Sequence, residues 1–329
     1  MTTPTRISYG ILALTLFLVG ALQLGVPLLA LLFSYFVLRR VLQLAKSKWL
    51  ALALFILFVT AITYAGIHFA RVAMAALPDV AENSIPSASA WAQARQIELP
   101  FTDFDSLRSV VIDTLKEQAH YLQNVAQFAR AITTTIVFAL IGIVIAVSLF
   151  FNSRIDSYAQ PGENGENLYS VLTTEVAARF RDLYRSFATV MGAQITISLI
   201  NTALTAIFVI AIRLPNAPVV LAITFLCGLV PIVGNLVSNA IIVCLAFTLS
   251  LKMAVVSLFF LVAIHKLEYL LNSKIIGGRI RNPAWLTLIA LILGERLMGL
   301  PGMILAPVVL NYARMELTRI QLTTSPPAL

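Results

Sequence analysis

Gln194, Ser198, Asn201 and Thr205 recur every three or four residues in an otherwise apolar run. On a helix that spacing puts their amides and hydroxyls on one face. Groups so placed either tie one helix to another or line a path for a small polar solute or a cation. A second set follows. Between Arg213 and Lys252 there is no Asp, Glu, Lys, Arg or His, yet the centre of that stretch, "GLVPIVGNLVSN", holds Pro231, Gly234, Asn235 and Asn239. Pro231 cannot donate its backbone amide and disfavours helix on its N-terminal side. Gly234 permits backbone angles that other residues avoid. A break there frees backbone groups that Asn235 and Asn239, or a ligand, can satisfy. Cation–proton exchange needs a membrane-embedded acid that changes protonation, and Glu268 and Glu295 are the two acids placed for it. Arg296 stands beside Glu295. Neighbours in sequence point apart on a helix, so each needs a separate partner: backbone carbonyls for Arg296, amides such as Asn201 or Asn235 for Glu295. The alternative is a tip solvated by a water-filled vestibule.

Other chemistry finds no support. His68, His120 and His265 form no metal-ligand spacing, and there is no H-E-x-x-H, G-x-S-x-G or G-x-x-x-x-G-K-S/T. Neither an intramembrane enzyme nor ATP-driven pumping by this chain is expected, and no cofactor is implied. Cys227 and Cys244 both lie in apolar runs and read as small buried hydrophobes. A channel or membrane scaffold remains as a function of another class.

The elements that position these residues belong to a membrane. Apolar residues are 59% of the chain, charged residues 12%, and the mean hydropathy is +0.90. Soluble domains run at about 45–50% apolar and about 25% charged. The expected fold is all-α: a polytopic helical membrane protein with broken, re-entrant hairpins. Its net charge of +8 gathers between apolar segments, as the positive-inside rule requires, so nucleic acid is not a partner and membrane lipids are.

From Ile7 to Leu38 the chain is uncharged. It reads as retained membrane structure rather than a cleaved signal, spanning once with a kink near Gly25 and Pro27 or folding as a hairpin. Residues 1–71 thus form N-terminal membrane helices, with Trp49 to Ala70 a clean span. Residues 72–130 read as an extracytoplasmic region. Pro78, Pro86 and Pro100 mark a loop, and an apolar stripe from Phe104 to Ala129 marks an amphipathic helix that runs on into the next span. Residues 131–186 hold that span and a cytoplasmic amphipathic helix, on which Arg179, Arg181 and Arg185 are placed for anionic headgroups. Residues 187–315 form the core. Leu214 to Leu251 would reach about 57 Å as one helix, nearly twice the ~30 Å hydrocarbon, so it must fold as a hairpin at "PIVGN". A second hairpin is expected at "GERLMGLPG", entering from the opposite side. Paired hairpins of this kind build midplane sites in secondary transporters. Residues 316–329 are a cytoplasmic tail.

Three segments, "RSFATVMGAQ", "GLVPIVGNLVSNAI" and "KLEYLLNSKIIGGRIRNPAWLTLIALILGERLMGLPGMILAPVV", resemble in order and spacing the autoinducer-2 exporter family of bacterial and archaeal membrane proteins. Pro231, Gly234, Glu268, Gly277, Pro283, Gly294, Gly299, Gly302 and Pro307 fall at matching places over roughly residues 180–315. Lys274, Glu295 and Arg296 depart from the usual residues. The resemblance implies a multi-pass transporter of the bacterial inner membrane with its C-terminus in the cytoplasm. It implies a homo-oligomer, with a pentamer as the candidate assembly. It implies export of a small polar metabolite or signal such as autoinducer-2, with sodium(cation)/proton antiport as the alternative.

Overall fold

The computed structural model describes residues 3–93, 121–152, 168–230, 233–275 and 283–319. Ten helices occupy them: α1 (Thr3–Ala21), α2 (Gly25–Ala45), α3 (Lys48–Gln93), α4 (Tyr121–Phe151), α5 (Leu168–Ala211), α6 (Ala217–Gly228), α7 (Val233–Leu249), α8 (Leu251–Ile275), α9 (Ala284–Met298) and α10 (Leu300–Arg319). No strand occurs among the described residues. Four helices contain stretches long and apolar enough to cross a bilayer: Gly25–Ala45, Lys48–Val72, Arg130–Phe151 and Leu168–Ala211. Large apolar side chains such as Leu57, Val144 and Phe259 stand exposed on the helices, as lipid-facing residues do. The chain is a multi-pass helical membrane protein.

The N-terminal run resolves into two helices. The break is at Leu22–Leu24, where Gln23 takes a left-handed φ of 54°, and Gly25 and Pro27 open α2 instead of kinking a single rod. Proline fits there because the first-turn amides of a helix have no intrahelical partner.

Two expected boundaries, in α3 and α5, fall inside continuous helices, while continuity across Arg130 in α4 was expected. α3 runs on through Pro78 and Pro86 to Gln93, where a loop was expected. A proline removes one hydrogen bond from a long, already nucleated helix, and the Ala-rich run before Pro78 favours continuation there. α4 passes Arg130 without a break. α5 joins the expected amphipathic helix and the following span into one helix of 44 residues. The amphipathic stripe before Tyr121 lies outside the described residues.

The chain forms two compact units. One comprises residues 1–52, 137–193 and 276–329; the other comprises 53–136 and 194–275. The first is built on a core of Leu12, Leu32, Phe187, Met191, Leu305 and Val308, drawn from α1, α2, α5 and α10. The second packs Val209, Val220, Ile242 and Leu261 from α5, α6, α7 and α8 together. Phe208 on α5 and Phe260 on α8 stack there, with centroids 3.9 Å apart.

Both expected hairpins are broken helix pairs, one in each unit. α6 and α7 flank a break at residues 229–232, of which 231 and 232, and so Pro231, lie outside the described residues. α9 and α10 are separated by Gly299 alone, at φ +62°.

Candidate functional site

The break after α6 frees carbonyls that a continuous helix would consume. The last four of any helix lack an intrahelical donor. Here each has one. The final turn tightens, so that Leu229 N donates to Leu226 O at 3.2 Å and Val230 N donates to Cys227 O at 2.9 Å. α5 supplies the other two donors: Ser198 Oγ to Phe225 O at 2.7 Å and Gln194 Nε2 to Gly228 O at 2.6 Å. The polar spacing on α5 thus matches the geometry of the helix end beside it. Gln194, Ser198, Asn201 and Thr205 are all buried. Two of the four act as caps of the broken hairpin, which is the helix-tying use of such a face.

Gly234 is fixed by a close approach. A Cβ there would collide with the carbonyl oxygen of Cys227, so α7 can cross the end of α6 this tightly only with glycine. Gly228 is similarly placed against Ser198, whose Oγ would lie 2.5 Å from an added Cβ.

Asn201 and Asn235 meet one turn further along. Asn201 Nδ2 donates to Asn235 Oδ1 at 3.2 Å, and Ser238 Oγ donates to Asn235 O at 3.2 Å. Both asparagines are buried, Asn201 to 5% exposure and Asn235 to 3%. Asn201 Oδ1 and the neighbouring Thr202 Oγ1 are buried with no hydrogen-bond partner. Leaving such an acceptor unpaired in a dry environment costs about 1–3 kcal/mol. Asn239, a turn beyond Asn235 on α7, is half-buried. Glu268 belongs to α8, and its side chain lies outside the described residues. Glu295 and Arg296 end α9 in the other unit, and both are exposed on the chain. The amides expected to meet Glu295 pair with each other.

The first unit holds a charged cluster that the sequence reading missed. Glu316 on α10 accepts from Tyr9 Oη at 2.7 Å and from Arg179 Nη1 at 2.9 Å, which links α1, α5 and α10. Arg179 also bonds Glu175 at 3.1 Å and lies over the Tyr9 ring, 4.3 Å from its centroid. Asp182 binds Arg185 at 3.2 Å and Arg319 at 2.5 Å. That hydrogen bond and the Asp182 charge hold the Arg319 guanidinium proton more tightly than usual. Arg179, expected at the headgroups, is instead a buried protein contact with a side chain 13% exposed. A buried carboxylate beside it recovers more Coulomb energy than water-screened phosphates would give. The available sequence signal was the i,i+3 and i,i+4 pairing of Glu175 with Arg179, Asp182 with Arg185, and Glu316 with Arg319.

Broken helices whose ends are satisfied by buried side chains of a long apolar helix mark a polytopic membrane protein built around interrupted spans. Comparison with known proteins then names the group. Residues 8–315 match the family described as AI-2E family transporter, and the chain belongs to that family. The chain is 25% identical over 187 residues to a protein of Bacillus subtilis (strain 168) named "Putative transport protein YdbI". The matched region is 56% of this chain and 51% of that protein, so the likeness spans about half the length of the relative.

Proposed function

We propose that the chain is a secondary transporter that exports a small polar metabolite or signal, such as autoinducer-2. The solute contacts centre on Asn201 and Asn235. The observation that carries this reading is the buried, unpartnered Asn201 Oδ1. Gln194 and Ser198 already satisfy carbonyls at the break, and Asn201 Nδ2 is taken by Asn235, so Asn201 Oδ1 is polarity that the fold does not consume. An acceptor without a donor suits a solute hydroxyl, which brings its own proton. Asn239 continues the path along α7, and Pro231 and Gly234 keep the helix open. Family membership supports transport in a multi-pass arrangement. The basic segment from Arg39 to Lys48 supports a cytoplasmic position for that turn, Arg314 and Arg319 support a cytoplasmic C-terminus, and the resemblance supports a homo-oligomer in the bacterial inner membrane.

The experiment is transport into proteoliposomes of purified protein, with autoinducer-2 as the probe. Asn201→Ala and Asn235→Ala should each cut the initial rate about tenfold or more while the protein elutes monodisperse. Wild-type rates in both variants would overturn the assignment of the pair.

A second reading is sodium(cation)/proton antiport, because an unpaired oxygen also suits a cation. It requires a protonating acid, and Glu295, next to Arg296, is the candidate among the described residues. Loss of the pH-dependent ion flux in Glu295→Gln, with solute binding kept, would favour antiport. Full ion-driven flux in that variant would exclude Glu295 as the coupling group.

A further inference from the structure

We propose that the C-terminal part of α2 carries a binding site for the phosphate of an anionic phospholipid, formed by Arg39 and Arg40 with Tyr35 and Tyr184. Both arginines are exposed, and neither has a carboxylate partner among the described residues. Their guanidinium groups are nonetheless oriented. Arg39 Nε and Nη2 both donate to Tyr35 Oη, at 3.0 and 2.9 Å, and its guanidinium carbon is 5.3 Å from that ring's centroid. Arg40 lies over the Phe36 ring at 5.4 Å. Tyr35 is held in turn by Tyr184 of α5, edge-on at 4.9 Å.

Depth argues for a lipid. α2 and α3 are apolar spans joined at Lys46 and Ser47, where Lys46 caps α2 in a left-handed conformation. That junction, with Lys48 and the exposed Trp49, marks the membrane–water boundary. Arg39 and Arg40 precede Lys46 by six or seven residues, about 9–11 Å along the axis. Long cationic side chains at that depth reach toward the phosphate layer.

Charge balance argues the same way. In the same unit, Arg179, Arg185 and Arg319 are matched by Glu175, Asp182 and Glu316. The acids of that cluster are already engaged, so Arg39 and Arg40 have no compensating carboxylate among the described residues. A guanidinium presents a rigid fork of donors that fits phosphate oxygens, and an ammonium does not.

The test is native mass spectrometry of the full-length protein titrated with phosphatidylglycerol or phosphatidylcholine in detergent. Wild-type protein should prefer phosphatidylglycerol, and Arg39→Gln/Arg40→Gln should lower that affinity about tenfold to thirtyfold, from about 1 kcal/mol per basic residue. Arg39→Lys/Arg40→Lys keeps the charge and removes the fork, and should lose about fivefold or more. Tyr35→Phe removes the acceptor that orients Arg39 and should lose about threefold. It serves as the second variant if the double substitution folds poorly. Lysine variants that bind like wild type would reduce the site to diffuse surface charge and overturn it. Displacement of phosphatidylglycerol by an equal concentration of inorganic phosphate would show a free-anion site and overturn the lipid assignment.

Discussion

The two hairpins solve one problem in opposite ways. α6–α7 is opened by a break of several residues, and its freed carbonyls are met by side chains of α5. α9–α10 turns on the single residue Gly299. There Gly294 and Gly302 face each other so closely that a Cβ on either would strike the other's carbonyl oxygen. Both hairpins pinch together on glycine, Gly234 against Cys227 O in the first, and both bond α5, the second through Ser186 Oγ to Val308 O at 2.8 Å; only the first relies on α5 to cap the carbonyls of its break. The second is also tied at its far end, where Glu316 meets α1 and α5. The first hairpin thus draws its helix-end caps from a neighbouring helix, and the second closes on a single residue.

The largest test of this contrast is Glu316→Ala. Breaking a buried ion pair by removing one partner costs about 3–5 kcal/mol, so the folded yield and thermal midpoint in detergent should fall sharply. Replacing both partners with apolar residues (Arg179→Met/Glu316→Leu) should recover most of that loss. If Glu316→Ala melts like the parent, the base of the second hairpin is held by something else.

Next comes Gly302→Val. Overpacking against backbone that cannot yield should cost about 3 kcal/mol, the upper end of the usual range. The same unfolding assay checks it, and a stable variant would show that the glycine contact is looser than described. Gln194→Leu should cost about 1–3 kcal/mol by leaving Gly228 O buried and unpaired. Asn201→Leu should cost less than Gln194→Leu, because removing the already unpartnered Oδ1 offsets part of the about 1–3 kcal/mol of leaving Asn235 Oδ1 buried and unpaired. Transport should nonetheless fall in Asn201→Leu more than in Gln194→Leu. The reverse order in the transport assay would erase the distinction between cap and solute contact.

Much of this arrangement was legible in the sequence, for identifiable reasons. Length against bilayer thickness forced a break between Leu214 and Leu251. Helical spacing put Gln194, Ser198, Asn201 and Thr205 on one face, and they are buried together. The breakers of "GERLMGLPG" placed the second turn within that segment, and it falls at Gly299. What could not be read was pairing across distance. The contacts of Arg179 and Tyr9 with Glu316 join residues 137 and 307 positions apart, and no local pattern encodes them. Prolines misled in α3, because their cost is local while the helix is stabilised along its whole length. The distinction between caps and spare polarity also needed coordinates. Gln194 and Asn201 look alike in sequence and differ only in which atom each meets.

Those same prolines locate α3 relative to the bilayer. Pro78 and Pro86 withdraw the amides that would serve the carbonyls of Met74 and Glu82, four residues earlier. Water can satisfy such a carbonyl, whereas hydrocarbon would leave it unpaired at a cost of several kcal/mol. The dry part of α3 therefore ends before Met74, in agreement with the apolar stretch Lys48–Val72. The 21 residues from there to Gln93 carry the same rod about 30 Å further through an aqueous or protein-lined region. Amide hydrogen exchange should change abruptly along this one uninterrupted helix, slow up to Val72 and fast beyond it.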